Sequence, residues 1–203
     1  MRDGIKLATD IYRDDAVARA PVVLTRTPYD RTKQKAVAES WVKAGYVFVA
    51  QDCRGTRASE GVLAPYNNEG QDGYDTIEWI TQQSWSNGRV GMVGGSYVGA
   101  VQWQAAVENP PGLVVIAPQA TRSSFYRNLY LGGSVRLSLI SGWLAGNAPK
   151  PTDAKQNDMD IALMRLPLSD VDEAIGWPIP WLDAYLTHPQ PSGFWKRLDL
   201  TDQ

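Results

Sequence analysis

The chain has 203 residues, 43% hydrophobic and 21% charged, with a formal net charge of −2. That describes an ordinary globular chain with room for one sizeable domain, or one domain with a smaller companion. It carries no basic stripe for nucleic acid and no apolar run near the ~18–20 residues that span a bilayer, and its one cysteine excludes an internal disulfide.

No secretory signal opens the chain, because Met1-Arg2-Asp3-Gly4 runs straight into a strand-like segment. That favours a cytoplasmic protein, and the abrupt start is compatible with a natural N-terminus further upstream. Ile5 to Tyr12 alternates apolar and polar residues, which predicts a half-buried strand. Val22-Val23-Leu24-Thr25 is short and apolar, as a strand covered on both faces would be. It runs into the loop Arg26-Thr27-Pro28-Tyr29-Asp30-Arg31. A helix is predicted from Lys33 to Ala44, with Val37, Trp41 and Ala44 on one face and Gly45 as its stop. Tyr46 to Ala50 is the third strand. The long loop from Gln51 to Glu69 has the length of a functional loop.

Gly70 to Gln83 reads as a helix with Tyr74, Ile77 and Ile80 facing inward. Asn87-Gly88 is a turn before the strand Val90 to Val93. The following helix buries Val98, Val101 and Ala105 and stops at Asn109-Pro110-Pro111. Leu113 to Ala117 is a further buried strand. This alternation predicts an α/β fold: a mostly parallel sheet with helices on both faces, and a site beyond the carboxyl ends of its strands.

After Pro118 the strand-helix alternation ends. Helix candidates are Ser134 to Leu144, Thr152 to Arg165 (ended by Leu166-Pro167) and Pro180 to Leu186, opened by proline where a helix tolerates it. A core over 1–122 and a helical subdomain over 123–203 are expected. Trp143, Trp177, Trp181 and Trp195 concentrate in the subdomain. They either line an acyl or aromatic pocket or pack the subdomain against the sheet, and packing is the simpler reading for any one of them.

The chemistry centres on Arg89 to Gly99, a strand, a glycine-lined corner and a helix start with Ser96 at its apex. Glycines let the backbone turn sharply there, and the corner aims a hydroxyl and backbone N–H groups at one point. Gly94-Gly95-Ser96-Tyr97-Val98 departs from G-x-S-x-G, since the second glycine comes one residue late, at Gly99. A dinucleotide fingerprint needs a glycine where Ser96 stands, and a P-loop needs Gly-Lys-Ser/Thr. A purely structural glycine turn stays open on these residues alone. Cys53 lacks a glycine corner or a nearby histidine and reads as a buried or loop thiol.

Several pieces together resemble the X-prolyl dipeptidyl-peptidase-like α/β-hydrolases, which include cocaine esterase and α-amino-acid ester hydrolases. They are Arg2-Asp3-Gly4-Ile5-Lys6-Leu7, Pro28-Tyr29-Asp30-Arg31, Gln51-Asp52-Cys53-Arg54-Gly55, Ser59-Glu60-Gly61, Asp75-Thr76-Ile77-Glu78-Trp79-Ile80, Asn87-Gly88-Arg89-Val90-Gly91-Met92 and Gly94-Gly95-Ser96-Tyr97-Val98-Gly99. The family elbow is G-x-S-Y-x-G, which this chain matches. His188-Pro189 with Phe194-Trp195 resembles the end of the family's helical cap.

The resemblance implies an α/β-hydrolase core, incomplete at its C-terminal side, with an inserted helical cap. It implies Ser96 as nucleophile, and the Tyr29 phenol and the Tyr97 backbone N–H as oxyanion donors. No metal or cofactor is implied, and the partner is a small ester or amide or a short peptide. Asp52 and Arg54 are expected to shape their loop by pairing locally, and Asp72 and Asp75 to sit near a helix start.

A serine hydrolase needs a base, and His188 is the chain's one histidine. Its order after Asp170, Asp172, Glu173 and Asp183 is permitted, but it falls in the cap-like segment. The expectation is a piece of a longer hydrolase whose acid and histidine lie beyond residue 203. The alternatives are a non-catalytic binding domain on the same scaffold and a nucleotide-binding α/β domain, the latter disfavoured by Ser96. No sequence signal sets an oligomeric state.

Overall fold

A computed structural model describes residues 1–147, 149–179, 181–196 and 198–200. The described residues form two compact units, one over 1–123 and one from residue 124 to 200. The first holds a five-stranded sheet in the order β1-β3-β2-β4-β5. Its strands are β1 (Thr9–Tyr12), β2 (Ala20–Thr27), β3 (Val47–Asp52), β4 (Ser86–Gly95) and β5 (Leu113–Gln119). β1 runs antiparallel to β3, and the other pairings are parallel. This is the mostly parallel sheet that the alternation predicts, in keeping with the α/β-hydrolase core that the resemblance implies.

Helix α1 (Lys35–Lys43) follows a 3-10 turn at Arg31–Gln34. It packs through Ala38 on Val23, Phe48 and Ala50, with Trp41 and Tyr46 at the margin. Val37 is 47% exposed, so the inward face is one residue out from the expected one. The small Ala38 lets the helix approach the sheet, which a valine there would hinder.

Helices α2 (Glu69–Thr81) and α3 (Tyr97–Val107) pack together on the other face. Side chains alternate along a strand. Val23 faces α1, and Arg26, an odd number of residues away, reaches the α2 backbone at Glu69 O, 2.8 Å. Gly73 and Ala105 set how close α2 and α3 come, since a Cβ at Gly73 would sit 2.6 Å from Ala105 Cβ. Ile77, Ile80, Val98, Val101 and Ala105 are buried as expected, whereas Tyr74 is half-buried beside the Arg2 guanidinium.

β1 is shorter than the Ile5–Tyr12 pattern, because Lys6 and the N–H of Ala8 bond the long loop, and only the Ala8 carbonyl still meets β3, at the Asp52 N–H (3.0 Å). Ala8 N–H donates to Ser59 Oγ (2.9 Å) and Lys6 N–H to Glu60 Oε2 (3.0 Å). Asn87-Gly88 lies inside β4. β5 is not buried: Val114 is 52% and Val115 58% exposed. Its one strand partner among the described residues is β4.

The second unit has a hairpin, β6 (Tyr130–Leu131) and β7 (Ser134–Val135), and short helices: α4 (Phe125–Leu129), α5 (Leu137–Asn147), α6 (Met159–Ala162), α7 (Val171–Ile175), α8 (Leu182–Leu186) and α9 (Gly193–Lys196). The expected helix 152–165 shrinks to α6, whose Asp158 cap takes the Asp160 and Ile161 N–H groups. The proline proposed to open α8, Pro180, lies outside the described residues. Trp195 is buried between Tyr185, whose ring stacks on it at 5.5 Å, and Tyr126, Tyr130 and Phe194. Trp177 is buried as well, so both serve as packing inside this unit.

The most demanding interaction in the first unit is ionic. Arg26 is fully buried, and its Nη2 lies 2.9 Å from Glu69 Oε2 (off the hydrogen-bond direction) and 3.8 Å from Asp72. Arg26→Met would leave Glu69 as a poorly compensated buried charge and should cost about 3–5 kcal/mol in urea unfolding, with Arg26→Met/Glu69→Met costing less than the single change. At the Arg2–Asp75 pair, whose guanidinium is half exposed, Asp75→Asn should cost about 1 kcal/mol. Burial opposes ionisation of Asp75, but hydrogen bonds from the Arg2 side chain and backbone hold its pKa below the usual aspartate range. Its contribution is therefore present above about pH 4 and is lost as pH falls through the lowered folded value, so Asp75→Asn should flatten that acid limb.

Candidate active site

β2 and β4 are parallel neighbours in register from Val22↔Val90 to Leu24↔Met92, and Thr25 Oγ1 donates to Val93 O at 2.8 Å. Tyr29 lies two residues past the end of β2, and Ser96 directly follows β4. Both expected site residues therefore stand at the same carboxyl edge, where open α/β sheets bind ligands.

Ser96 has φ 59 and ψ −125, a conformation that L-residues hold only when their surroundings impose it. Its N–H donates to Gln119 O (2.9 Å), and its carbonyl accepts from Gly99 and Ala100 N–H (3.0 Å each). The side chain is exposed, and among the described residues Ser96 Oγ has no hydrogen-bond partner.

The geometry explains the late glycine. At Gly94 (φ 136) a Cβ would lie 2.2 Å from Val98 Cγ1, so the valine that replaces the second glycine of G-x-S-x-G occupies the space left by the first. At Gly99 a Cβ would meet Gln119 O and Thr121 Cγ2 at 2.9 Å. Gly95 is under no such constraint, its nearest neighbour being Gln119 O at 3.5 Å.

Tyr97 is the first residue of α3, where backbone N–H groups point out of the helix end. Its side chain turns inward: the phenol donates to Glu69 Oε1 (2.7 Å) and accepts the Tyr66 N–H (3.2 Å).

The Tyr29 loop is fixed from below. Tyr29 N–H donates to Thr27 Oγ1 (3.0 Å). The buried Asp52 carboxylate accepts Arg31 N–H (2.8 Å) and pairs with Arg31 Nη1 (2.7 Å), while Arg31 Nε reaches Asp10 (3.0 Å). Asp52 and Arg54 do shape loops, but not by pairing locally. Arg54 holds Asp72 through Nε (2.9 Å) and Nη2 (2.5 Å) and Asp3 through Nη1 (2.6 Å). Asp72 stands in the first turn of α2 as expected, yet its partners are arginines as much as the helix end.

Cys53 is fully buried, and burial, then Glu69, push its thiol well above the usual range, which makes it unreactive. No cluster of three or more His, Cys, Asp or Glu able to hold a metal occurs among the described residues. In the second unit, His188 Nδ1 lies 2.7 Å from Ala184 O, and its ring lies flat on Phe194 at 4.2 Å. Of the carboxylates considered for it, Asp172 accepts the Ile179 and Glu173 N–H groups and Asp170 accepts the Ser169 hydroxyl. Arg26, Glu69 and the pairing of Asp72 with arginines are what sequence reading misses. Arg26 reads as the first residue of a loop, whereas it is the penultimate residue of β2 and fully buried, where a charge must be paired.

Comparison with known proteins agrees with this architecture. The sequence profile of the X-Pro dipeptidyl-peptidase (S15 family) matches residues 3–203. The cocaine esterase of Rhodococcus sp. (strain MB1 Bresler) is 36% identical over 228 aligned residues, covering 100% of this chain and 40% of that protein. Among solved structures, an α-amino acid ester hydrolase is similar with a TM-score of 0.81 at 29% identity, covering 98% of this chain and 38% of the other. A CocE/NonD family hydrolase from Staphylococcus aureus gives 0.76 at 26%, covering 99% and 37%. The chain spans about two fifths of the length of these relatives.

The glycine analysis makes a differential prediction. Gly94→Ala adds both strain and a clash and should cost roughly 2–4 kcal/mol, whereas Gly95→Ala should stay within about 0.5 kcal/mol in urea unfolding.

Proposed function

The chain belongs to the X-Pro dipeptidyl-peptidase (S15) family, and on that premise we propose that Ser96 is the nucleophile of a serine esterase or peptidase working through an acyl-enzyme. The observation that carries this is the strained, exposed serine at a strand-helix corner, its Oγ without a partner among the described residues. Ser96 Oγ attacks the ester or amide carbonyl carbon while a base removes its proton. The oxyanion that forms is held by the Tyr29 phenol and the Tyr97 N–H. The C–O or C–N bond breaks, and the leaving alcohol or amine departs with that proton. Water, deprotonated by the same base, then attacks the acyl-enzyme and releases the acid and free Ser96.

The substrate class is a small ester or amide or a short peptide, in keeping with the cocaine esterase and α-amino acid ester hydrolase among the similar proteins. The second unit is proposed as the cap. The base and its orienting acid are placed outside these 203 residues. Two observations support that: the His188 ring is engaged by Ala184 O and Phe194, and the chain covers 40% of the esterase it matches. The chain by itself is accordingly expected to be inactive, apart from weak residual catalysis.

Fluorophosphonate labelling with mass-spectrometric mapping tests this. The full-length gene product should be labelled at Ser96, its Ser96→Ala variant should not, and the 203-residue chain should react slowly or not at all. Rapid labelling of the short chain would return His188 to the active site. Folded protein unlabelled in both forms would favour a non-catalytic binding domain. In the full-length product, Tyr29→Phe should lower kcat roughly 10²–10³-fold, about 3 kcal/mol, with KM little changed.

A further inference from the structure

The Tyr97 phenol and the Glu69 carboxylate take no part in the steps above, yet both are buried and both connect to the residue that follows Ser96. The phenol donates to Glu69 Oε1 at 2.7 Å. Glu69 is itself immobilised, since Arg26 Nη1 donates to its main-chain oxygen (2.8 Å) and Arg26 Nη2 stands 2.9 Å from its carboxylate. Arg26 is fixed in turn by its Nε bond to Gln51 Oε1 (2.8 Å). On the other side, the Tyr66 ring stacks on Tyr97 at 4.3 Å, its N–H donates to the phenol, and its carbonyl accepts from Gln104 Nε2 (2.7 Å). The phenol is thus held at once by α2 and by the loop before it. Burial first, and the Glu69 carboxylate next, keep it protonated well above the usual tyrosine range, so it remains the donor at neutral pH.

Ser96 adopts a backbone conformation that persists only where its neighbours determine it. A tyrosine side chain has two main torsions, so fixing its far end constrains its own Cα and N–H. We propose that Tyr97 and Glu69 are a positioning pair for the elbow, the anchored phenol holding the Tyr97 backbone N–H and Ser96 in the geometry of attack. The inference rests on the reading of Ser96 as nucleophile and of the Tyr97 N–H as oxyanion donor. The competing account is a buried tyrosine satisfied for stability alone, which would move the melting temperature and leave the chemical step unchanged.

The test uses the full-length gene product and compares Tyr97→Phe, Glu69→Gln, Glu69→Ala and, as a stability control, Ile80→Val in the buried face of α2. The measurements are kcat, KM, Tm and the rate of Ser96 phosphonylation. Tyr97→Phe should lower kcat and the phosphonylation rate by roughly 10- to 100-fold, the scale of a displaced reacting group, with KM within about twofold. Glu69→Gln, which keeps an acceptor for the phenol, should retain more activity than Glu69→Ala. Ile80→Val should lower Tm while leaving kcat in place. If Ser96 is labelled and Tyr97→Phe keeps kcat and labelling rate within about twofold of the parent, the positioning role is wrong while the nucleophile stands. A fall in kcat that merely tracks Tm across all four variants has the same meaning. An active enzyme that is unlabelled at Ser96 and unaffected by Ser96→Ala overturns both readings.

Discussion

A buried guanidinium holds the working edge of this sheet together. Arg26 has no exposure, and burying a charge is costly unless it is paired and hydrogen-bonded. It meets Gln51 on the neighbouring strand and Glu69 at the start of α2, with Asp72 one turn further on. Arg54 then ties Asp72 to Asp3, which brings the N-terminal segment and the long loop into the same set. Each carboxylate here has a cationic neighbour and each guanidinium has more than one acceptor. That mutual charge pairing offsets the cost of burial, and it leaves the elements few alternative positions.

Strain accumulates on the same edge. Asp30, Tyr66, Ser96 and Ala120 all have positive φ, at 97, 66, 59 and 46, and all stand in segments that follow strand ends. The supports can be named for three of them. Asp30 accepts the Thr32 N–H and hydroxyl, Tyr66 is held at its N–H and carbonyl by Tyr97 and Gln104, and Ser96 is held by Gln119 and the first turn of α3. Roughly 1–3 kcal/mol per such residue has to be offset by surroundings that cannot relax. Packed glycines at 94 and 99 and the buried ion pairs are surroundings of that kind.

The parallel sheet was legible in the sequence because its strands are apolar runs separated by helical periodicity, and the elbow was legible because glycine and serine stand at fixed offsets. Other features were hidden for physical reasons. Val37 and Ala38 are both apolar, and periodicity alone does not tell which of two adjacent residues fits a narrow gap. Val114 and Val115 read as buried because exposure depends on what lies beside β5, which the strand's own residues do not encode. Thr152 to Arg165 has helical composition, but Asp158 makes a better cap than an interior residue. Asp52 and Arg54 are adjacent enough in sequence to imply a pair, yet Asp52 ends β3 and meets Arg31, while Arg54 lies in the turn beyond it and reaches Asp72.

The departure at Val98 bears on how the elbow is built. In this corner the serine lies close to the neighbouring strand and the helix close behind it, and the glycines stand where those two approaches leave no room for a Cβ. Here the helix is brought against β5 at Gly99, where a Cβ would strike Gln119 O and Thr121. Val98 can then fill the hollow over Gly94, adding buried apolar surface where the shorter-spaced motif has none. The side chain after the serine turns into the core, where an aromatic with a polar tip is satisfied by Glu69 and the Tyr66 N–H. The tyrosine of G-x-S-Y-x-G and the buried Arg26–Glu69 pair therefore meet at one point: the residue after the serine lies inward, and the ion pair supplies the carboxylate that its phenol bonds.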